Sequence, residues 1–238
     1  MKSVMNVLIC IGLATSVWAA TGAEERERIK EAGNVMKEIM DAPDKGIPGS
    51  VLDGSKCVIV IPNMKKAGFI VGASYGRGVM TCRTGADFKG PWSPPVMMAS
   101  SGGSFGLQIG AEATDFVILV LNDGGARAMM KNKVKLGADA SIAAGPVGRT
   151  SEAATSGTMK AQMLSYSRSR GVFGGVSLSG ATLRPDGDAN KNLYDKKVSA
   201  EQIVNSQGVT MPDEAQRLVD TLTAETINKP AKEKKPSN

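Results

Sequence analysis

From Glu24 to Asp41 the apolar residues Ile29, Ala32, Val35, Met36, Ile39 and Met40 recur at three- and four-residue steps with charges between them. That period predicts an amphipathic helix with one apolar face. Asp41-Ala42-Pro43-Asp44 ends it, because proline disfavours helix at the residue before it. Ile47-Pro48 and Asp53-Gly54 mark a second junction, with Val51 and Leu52 on a short helical turn. At Cys57 the pattern turns β-branched. Cys57–Ile61 reads as a buried strand closed by Pro62-Asn63, Gly68–Tyr75 as the next and Gly78–Cys82 as a third. Short links between them favour antiparallel pairing.

Strands are also expected at Val96–Ser100, Gly103–Ala113, Thr114–Leu121, Gly137–Gly148, Ala161–Tyr166 and Gly171–Leu183, with a short helix over Ala126–Met130. Glu201–Ser206 and Pro212–Thr226 read as closing helices, the last with Asp213 and Glu214 in its first turn, where acids complement the helix dipole. Helices at both ends with strands between them give an α+β fold: a single domain built on a mostly antiparallel, glycine-rich sheet or partial barrel flanked by N- and C-terminal helices. The segments Gly68–Gly76, Gly102–Gly110 and Gly171–Gly180 share a cadence of glycine and apolar residues, which is read as strand curvature.

The N-terminus changes the picture. Lys2 precedes a mostly apolar run, Val4–Val17, which is of signal-peptide length and too short to span a bilayer. Cleavage is expected after Ala19, with Ala23 as second choice, so residues 1–19 are a signal peptide, 20–226 the domain and 227–238 a disordered Lys/Pro tail. Export to the periplasm or exterior follows. Cys57 and Cys82 then remain, and an oxidising compartment permits a bridge between them, while buried free thiols are the open alternative. The net charge of +6 favours weak association with anionic membranes or polymers.

The chain has no histidine. That removes the common general base near neutral pH, the usual zinc ligand and the Ser-His-Asp relay. No P-loop pattern occurs, and Asp186-Gly187-Asp188-Ala189-Asn190 lacks the later ligands of a calcium loop, so it is read as a chain-reversing turn. A noncatalytic protein is expected, without metal, cofactor or nucleic acid. The basic residues carry more. Lys65 and Lys66 are expected at the turn after the first strand, Arg77 at the next turn, and Arg168 and Arg170 beside a later strand. If these ends converge they form a patch for anionic headgroups. Arg26, Arg28 and Lys30 on the first helix could lie on a bilayer, although Glu24, Glu25, Glu27, Glu31 and Glu38 weaken that role and favour docking on the core.

The stretch from Cys57 to Gly72 (CVIVIPNMKKAGFIVG) is similar to the signature of the SYLF family, as are Gly76-Arg77-Gly78-Val79, Trp92-Ser93-Pro94-Pro95, Gly106–Leu121, Gly145–Arg149 and Tyr166–Val176. The resemblance implies a lipid-binding module; eukaryotic relatives are associated with phosphoinositide membranes and, in fungi, with actin filaments. For an exported chain of bacterial type it implies other anionic lipids, bound through the first helix or Lys65-Lys66. The alternative is an envelope protein that binds a protein or glycan.

Overall fold

The computed structural model describes residues 22–42, 46–68, 71–105, 110–131, 133–148, 161–169 and 172–227. The signal-peptide segment, the tail from residue 228 onward and Arg170 lie outside them.

The centre of the fold is strand β1 (Cys57–Gly68), paired antiparallel with β2 (Val71–Cys82) on one side and with β4 (Gly110–Val120) on the other. β3 (Val96–Phe105) flanks β2, and β7 (Met163–Ser169) flanks β4. With β5 (Val134–Lys135), β6 (Ile142–Ala144), β8 (Val172–Gly175) and β9 (Thr182–Pro185), the sheet runs β5-β9-β3-β2-β1-β4-β7-β6, and β8 also pairs with β7. β6 on β7 is the parallel pair. The sheet curls into a half-barrel with helices at both ends of the chain, a single α+β domain.

Both sides of the sheet are covered. One side carries α1 (Ala23–Asp41), α2 (Gly49–Asp53), α4 (Gly187–Tyr194) and α6 (Gln216–Ile227) over Val58, Val60, Val79, Val117 and Leu119. The other carries α3 (Asp123–Lys131) and α5 (Ala200–Val204) over Ile59, Met80, Met98, Ile118 and Val120. This explains why Cys57–Ile61 is apolar at every position: a strand buried on both faces has no polar side to alternate with.

Several strand boundaries differ from expectation. Pro62-Asn63 does not close the first strand; β1 bulges there and continues to Gly68, its registers with β2 and β4 both shifting at this point. Gly68–Tyr75 and Gly78–Cys82 are one strand, β2, so Arg77 sits inside it. The expected Gly171–Leu183 strand divides into β8 and β9, and the Gly137–Gly148 strand shrinks to β6. Asp186–Asn190, expected as a chain-reversing turn, instead forms the cap and first turn of a helix, Gly187–Tyr194. Asp186 accepts a hydrogen bond from the Ala189 N–H and caps it.

α4 owes its place to one side chain. Asn190 is buried, its Oδ1 accepts from the Met97 N–H at 2.8 Å and its Nδ2 donates to the Met97 carbonyl at 3.2 Å. β9 pairs with β3 only from Met98 onward, so the amide takes over where that ladder ends. At the other edge, Gly145 lies against the Tyr166 ring so closely that a Cβ would come within 2.0 Å of Cζ, and Phe173 stacks on the same ring at 5.5 Å. Cys57 and Cys82 are register partners, and their sulfurs are bonded.

Two outcomes follow for stability. Asn190→Ala leaves the buried Met97 N–H without an acceptor and is expected to cost about 1–3 kcal/mol; an unchanged urea midpoint would show that the amide does not matter. A Cys57→Ala/Cys82→Ala double variant is expected to lose about 2–5 kcal/mol, measured against the oxidised parent in the same titration, and equal midpoints would rule out a stabilising bridge.

Candidate functional site

α1 buries Ile29, Ala32, Val35, Met36 and Ile39, each no more than 5 % exposed, against the sheet and α6. Its stripe is therefore part of the core. Arg26, Arg77 and Arg168 help to hold it there, while Arg28 and Lys30 pair with acids of α1 itself. Arg26 pairs with Glu214 at 3.0 Å, Arg28 with Glu24 at 2.6 Å and Lys30 with Glu27 at 3.5 Å. Arg77 reaches Glu24 at 3.6 Å and Asp186 at 3.5 Å, linking β2 to the starts of α1 and α4. Arg168 binds Asp115 of β4 at 2.8 Å and also Glu38 near the end of α1. These five residues do not form one patch; they are spread along α1, each facing a carboxylate.

Lys65 and Lys66 are placed differently. They lie within the paired part of β1, not at its turn, because the hairpin closes beyond Gly68. Lys65 is exposed, and no ion pair to it is found among the described residues. Its register partner on β2 is Tyr75, which is 50 % exposed. The Tyr75 hydroxyl in turn accepts from Arg77 Nε at 2.9 Å. That hydrogen bond, ahead of the nearby Asp186 and Glu24 carboxylates, raises the Arg77 guanidinium above its ordinary range. The β1–β2 hairpin thus sets a lysine, an aromatic ring and an arginine side by side on the α1 side of the sheet.

Such a row suits an anionic, partly apolar surface. Lys65 attracts negative charge, Arg77 being held by Glu24 and Asp186, and the tyrosine presents an apolar ring with a polar tip. Tyr75 was not among the residues singled out from sequence. The signal was present in the symmetry of a hairpin closing between Gly68 and Gly72, which sets Lys65 opposite Tyr75, but reading Pro62 as a strand end concealed it.

A surface groove elsewhere, about 530 Å³ between α1 and α6, is lined by Lys37, Met40, Asp41, Arg217, Asp220 and Thr221. Its polar groups are largely satisfied within the protein: Lys37 by Asp41, Arg217 by Asn34 and Asp220 by Gln216. Among the described residues no group of three or more Cys, Asp or Glu side chains is arranged to hold a metal ion.

Comparison with known proteins adds the lineage. The chain matches the Ysc84 family, described as "Las17-binding protein actin regulator", over residues 101–225, just over half its length. It is 34% identical over 212 residues to the SH3 domain-containing protein PJ696.02 of Schizosaccharomyces pombe, covering 85% of this chain and 48% of that protein. It is 30% identical over 211 residues to Protein YSC84 of Saccharomyces cerevisiae, covering 85% of this chain and 44% of that protein. To the human SH3 domain-containing YSC84-like protein 1 it is 30% identical over 207 residues, 84% of this chain and 59% of that protein. The chain thus spans about half the length of the curated relatives it matches. The matched span and these relatives place the chain in the Ysc84 family of SYLF-domain proteins.

Proposed function

We propose that this protein is a noncatalytic lipid-binding module that docks on anionic phospholipid headgroups through the β1–β2 hairpin. The observation that carries this reading is the exposed Lys65–Tyr75 pair, with Lys65 free of a carboxylate partner among the described residues while the arginines nearby are held by acids. A chain of net charge +6 supports long-range attraction to an anionic surface. The apolar leader Val4–Val17 supports export, so that the lipids met would be those of the periplasmic or outer envelope surface.

A second reading is favoured by the family description, which names a Las17-binding actin regulator. On that reading the same exposed face takes a protein, or an envelope polymer, in place of a bilayer. Aromatic and arginine side chains are enriched in such interfaces as well.

Flotation with phosphatidylcholine vesicles, with and without phosphatidylserine, separates the two. Binding is expected only with phosphatidylserine and should be lost in high salt. Lys65→Glu/Lys66→Glu is expected to weaken it about tenfold or more. No flotation of the parent at low salt would refute the lipid reading and leave the protein-partner reading standing.

A further inference from the structure

A row of polar side chains crosses five strands of the sheet. Lys65 on β1 is the register partner of Tyr75 on β2, Tyr75 of Ser101 on β3, Ser101 of Thr182 on β9, and Thr182 of Lys135 on β5. Directly opposed residues share a face, so these five stand on one side of the sheet. In the neighbouring row Arg77 opposes Ala99, and Ala99 opposes Arg184. The core fixes this orientation. Met98, Leu183 and Val134, one residue along on their strands, are buried on the α3 side, and the pleat turns their neighbours the other way.

On that other side the helical cover stops short of the row. α4 reaches Met97 through Asn190, and Ala99 is still buried. Two residues further along β3, Ser101 is exposed. So are Lys65, Tyr75, Lys135 and Arg184, while Thr182 is half-buried. Among the described residues no ion pair reaches Lys65, Lys135 or Arg184. Arg184 donates to the carbonyl of the adjoining Pro185, and the Asp139 carboxylate accepts the backbone N–H of Lys135. Cations thus stand at both ends of the row and beside it, around a floor of small and hydroxyl side chains.

We infer that this strip, with Lys135 and Arg184 joining Lys65 and Tyr75, is the surface that receives the phosphate groups of several anionic lipids at once. The inference rests on the lipid-binding reading above and carries its contact from the hairpin to the far edge of the sheet. Extent is the first argument. Neighbouring strands lie about 4.8 Å apart, so Lys65 and Lys135, four strand spacings apart, are separated by roughly 19 Å along the sheet. One small anion meets only one end of such a strip. An anionic bilayer offers repeated phosphates over the whole of it, and long lysine and arginine side chains can reach them from the sheet.

Chemistry is the second. The hydroxyls of Tyr75, Ser101 and Thr182 can donate to phosphate oxygens between the cations. Tyrosine and long cationic side chains also concentrate at the membrane–water interface, since each has an apolar body and a polar end. Apart from the Tyr75 ring the strip is charged, hydroxylic or small, so its contact is with headgroups and stays outside the hydrocarbon. A second copy of the chain is a poor occupant, because two such faces would bring like charges together.

Flotation with phosphatidylcholine/phosphatidylserine vesicles tests the strip, with two variants compared against the parent. Lys135→Gln/Arg184→Gln removes two exposed charges far from the hairpin and is expected to lower vesicle affinity about tenfold or more. Lys89→Gln/Arg127→Gln removes the same net charge on the α3 side, where Arg127 lies over the Phe88 ring. It is expected to keep the parent's affinity within about twofold, since charges facing away from the membrane are screened. If the parent does not bind these vesicles, the lipid reading and the strip fall together; binding of that parent to soluble polyphosphate would give the strip to a linear polyanion instead. If the parent binds and Lys135→Gln/Arg184→Gln binds equally well, the strip alone is overturned and the lipid reading keeps its Lys65–Tyr75 contact. An equal loss in the Lys89→Gln/Arg127→Gln variant would also overturn the strip, because net charge alone would then account for binding. Should Lys135→Gln/Arg184→Gln fail to fold, Ser101→Glu decides. That change sets one carboxylate at an exposed position in the middle of the row, so weakened flotation supports the strip and parental flotation overturns it.

Discussion

A proline in the central strand is the constraint around which this fold is arranged. β1 is paired on both sides, so every ladder position needs its N–H, and Pro62 has none. The chain bulges at that point. Asn63 takes a left-handed backbone with φ of 49°, and its N–H is received by the Asp115 carboxylate at 2.9 Å. Asp115 is in turn held by Arg168, which extends to Glu38 of α1. The repair of one missing ladder position is thereby joined to the docking of the first helix. β2 accommodates the bulge with glycine: a Cβ at Gly78 would lie 2.2 Å from the Val60 carbonyl oxygen, and one at Gly76 would lie 2.7 Å from Ile61 Cγ2. Only residues without a side chain fit on that side, which leaves Tyr75 and Arg77, the residues between and beside them, to face the α1 side.

The parts of this arrangement that sequence made legible are those governed by local periodicity. α1 was readable because its apolar stripe repeats from Ile29 to Met40, about three turns, and the run Cys57–Ile61 because only a doubly covered strand is apolar throughout. The α+β class and the terminal helices followed from the order of such segments. Pro62 misled for a physical reason: proline is excluded from central strands except at bulges, and a bulge has no local marker beyond the proline itself. α4 was hidden because its eight residues begin with glycine and are mostly polar, with only Ala189, Leu193 and Tyr194 apolar or aromatic; it is held by the Asp186 cap and by Asn190 reaching β3, a partner 93 positions away.

The same limit applied to the cationic residues. Whether an arginine is free or paired depends on acids that lie far along the chain, such as Glu214 for Arg26 and Glu38 for Arg168, separated by 188 and 130 positions. Sequence presented eight basic candidates as equivalent. Folding divides those it describes into Arg26, Arg77 and Arg168, which tie α1 to the rest of the domain, Arg28 and Lys30, which pair within α1, and Lys65, which remains exposed beside an aromatic ring. That Lys65 is opposite Tyr75 is a matter of register, which a one-residue slip would have reversed by placing the ring on the other face.

This division also bears on how the proposed membrane contact could be made. For α1 to lie on a bilayer it would have to leave the sheet, exposing Ile29, Met36 and Ile39, each fully or almost fully buried. Burial of such side chains stabilises by about 1.5–3 kcal/mol apiece. The bilayer could return part of that, but the ion pairs of Arg77 with Glu24 and Arg168 with Glu38 would be broken as well. The freed acids Glu24 and Glu38 would then approach a surface of their own sign, together with Glu27 and Glu31. The Lys65–Tyr75 pair carries none of these costs: both side chains are already exposed in the folded protein, so the proposed contact requires no unfolding step and spends no core burial.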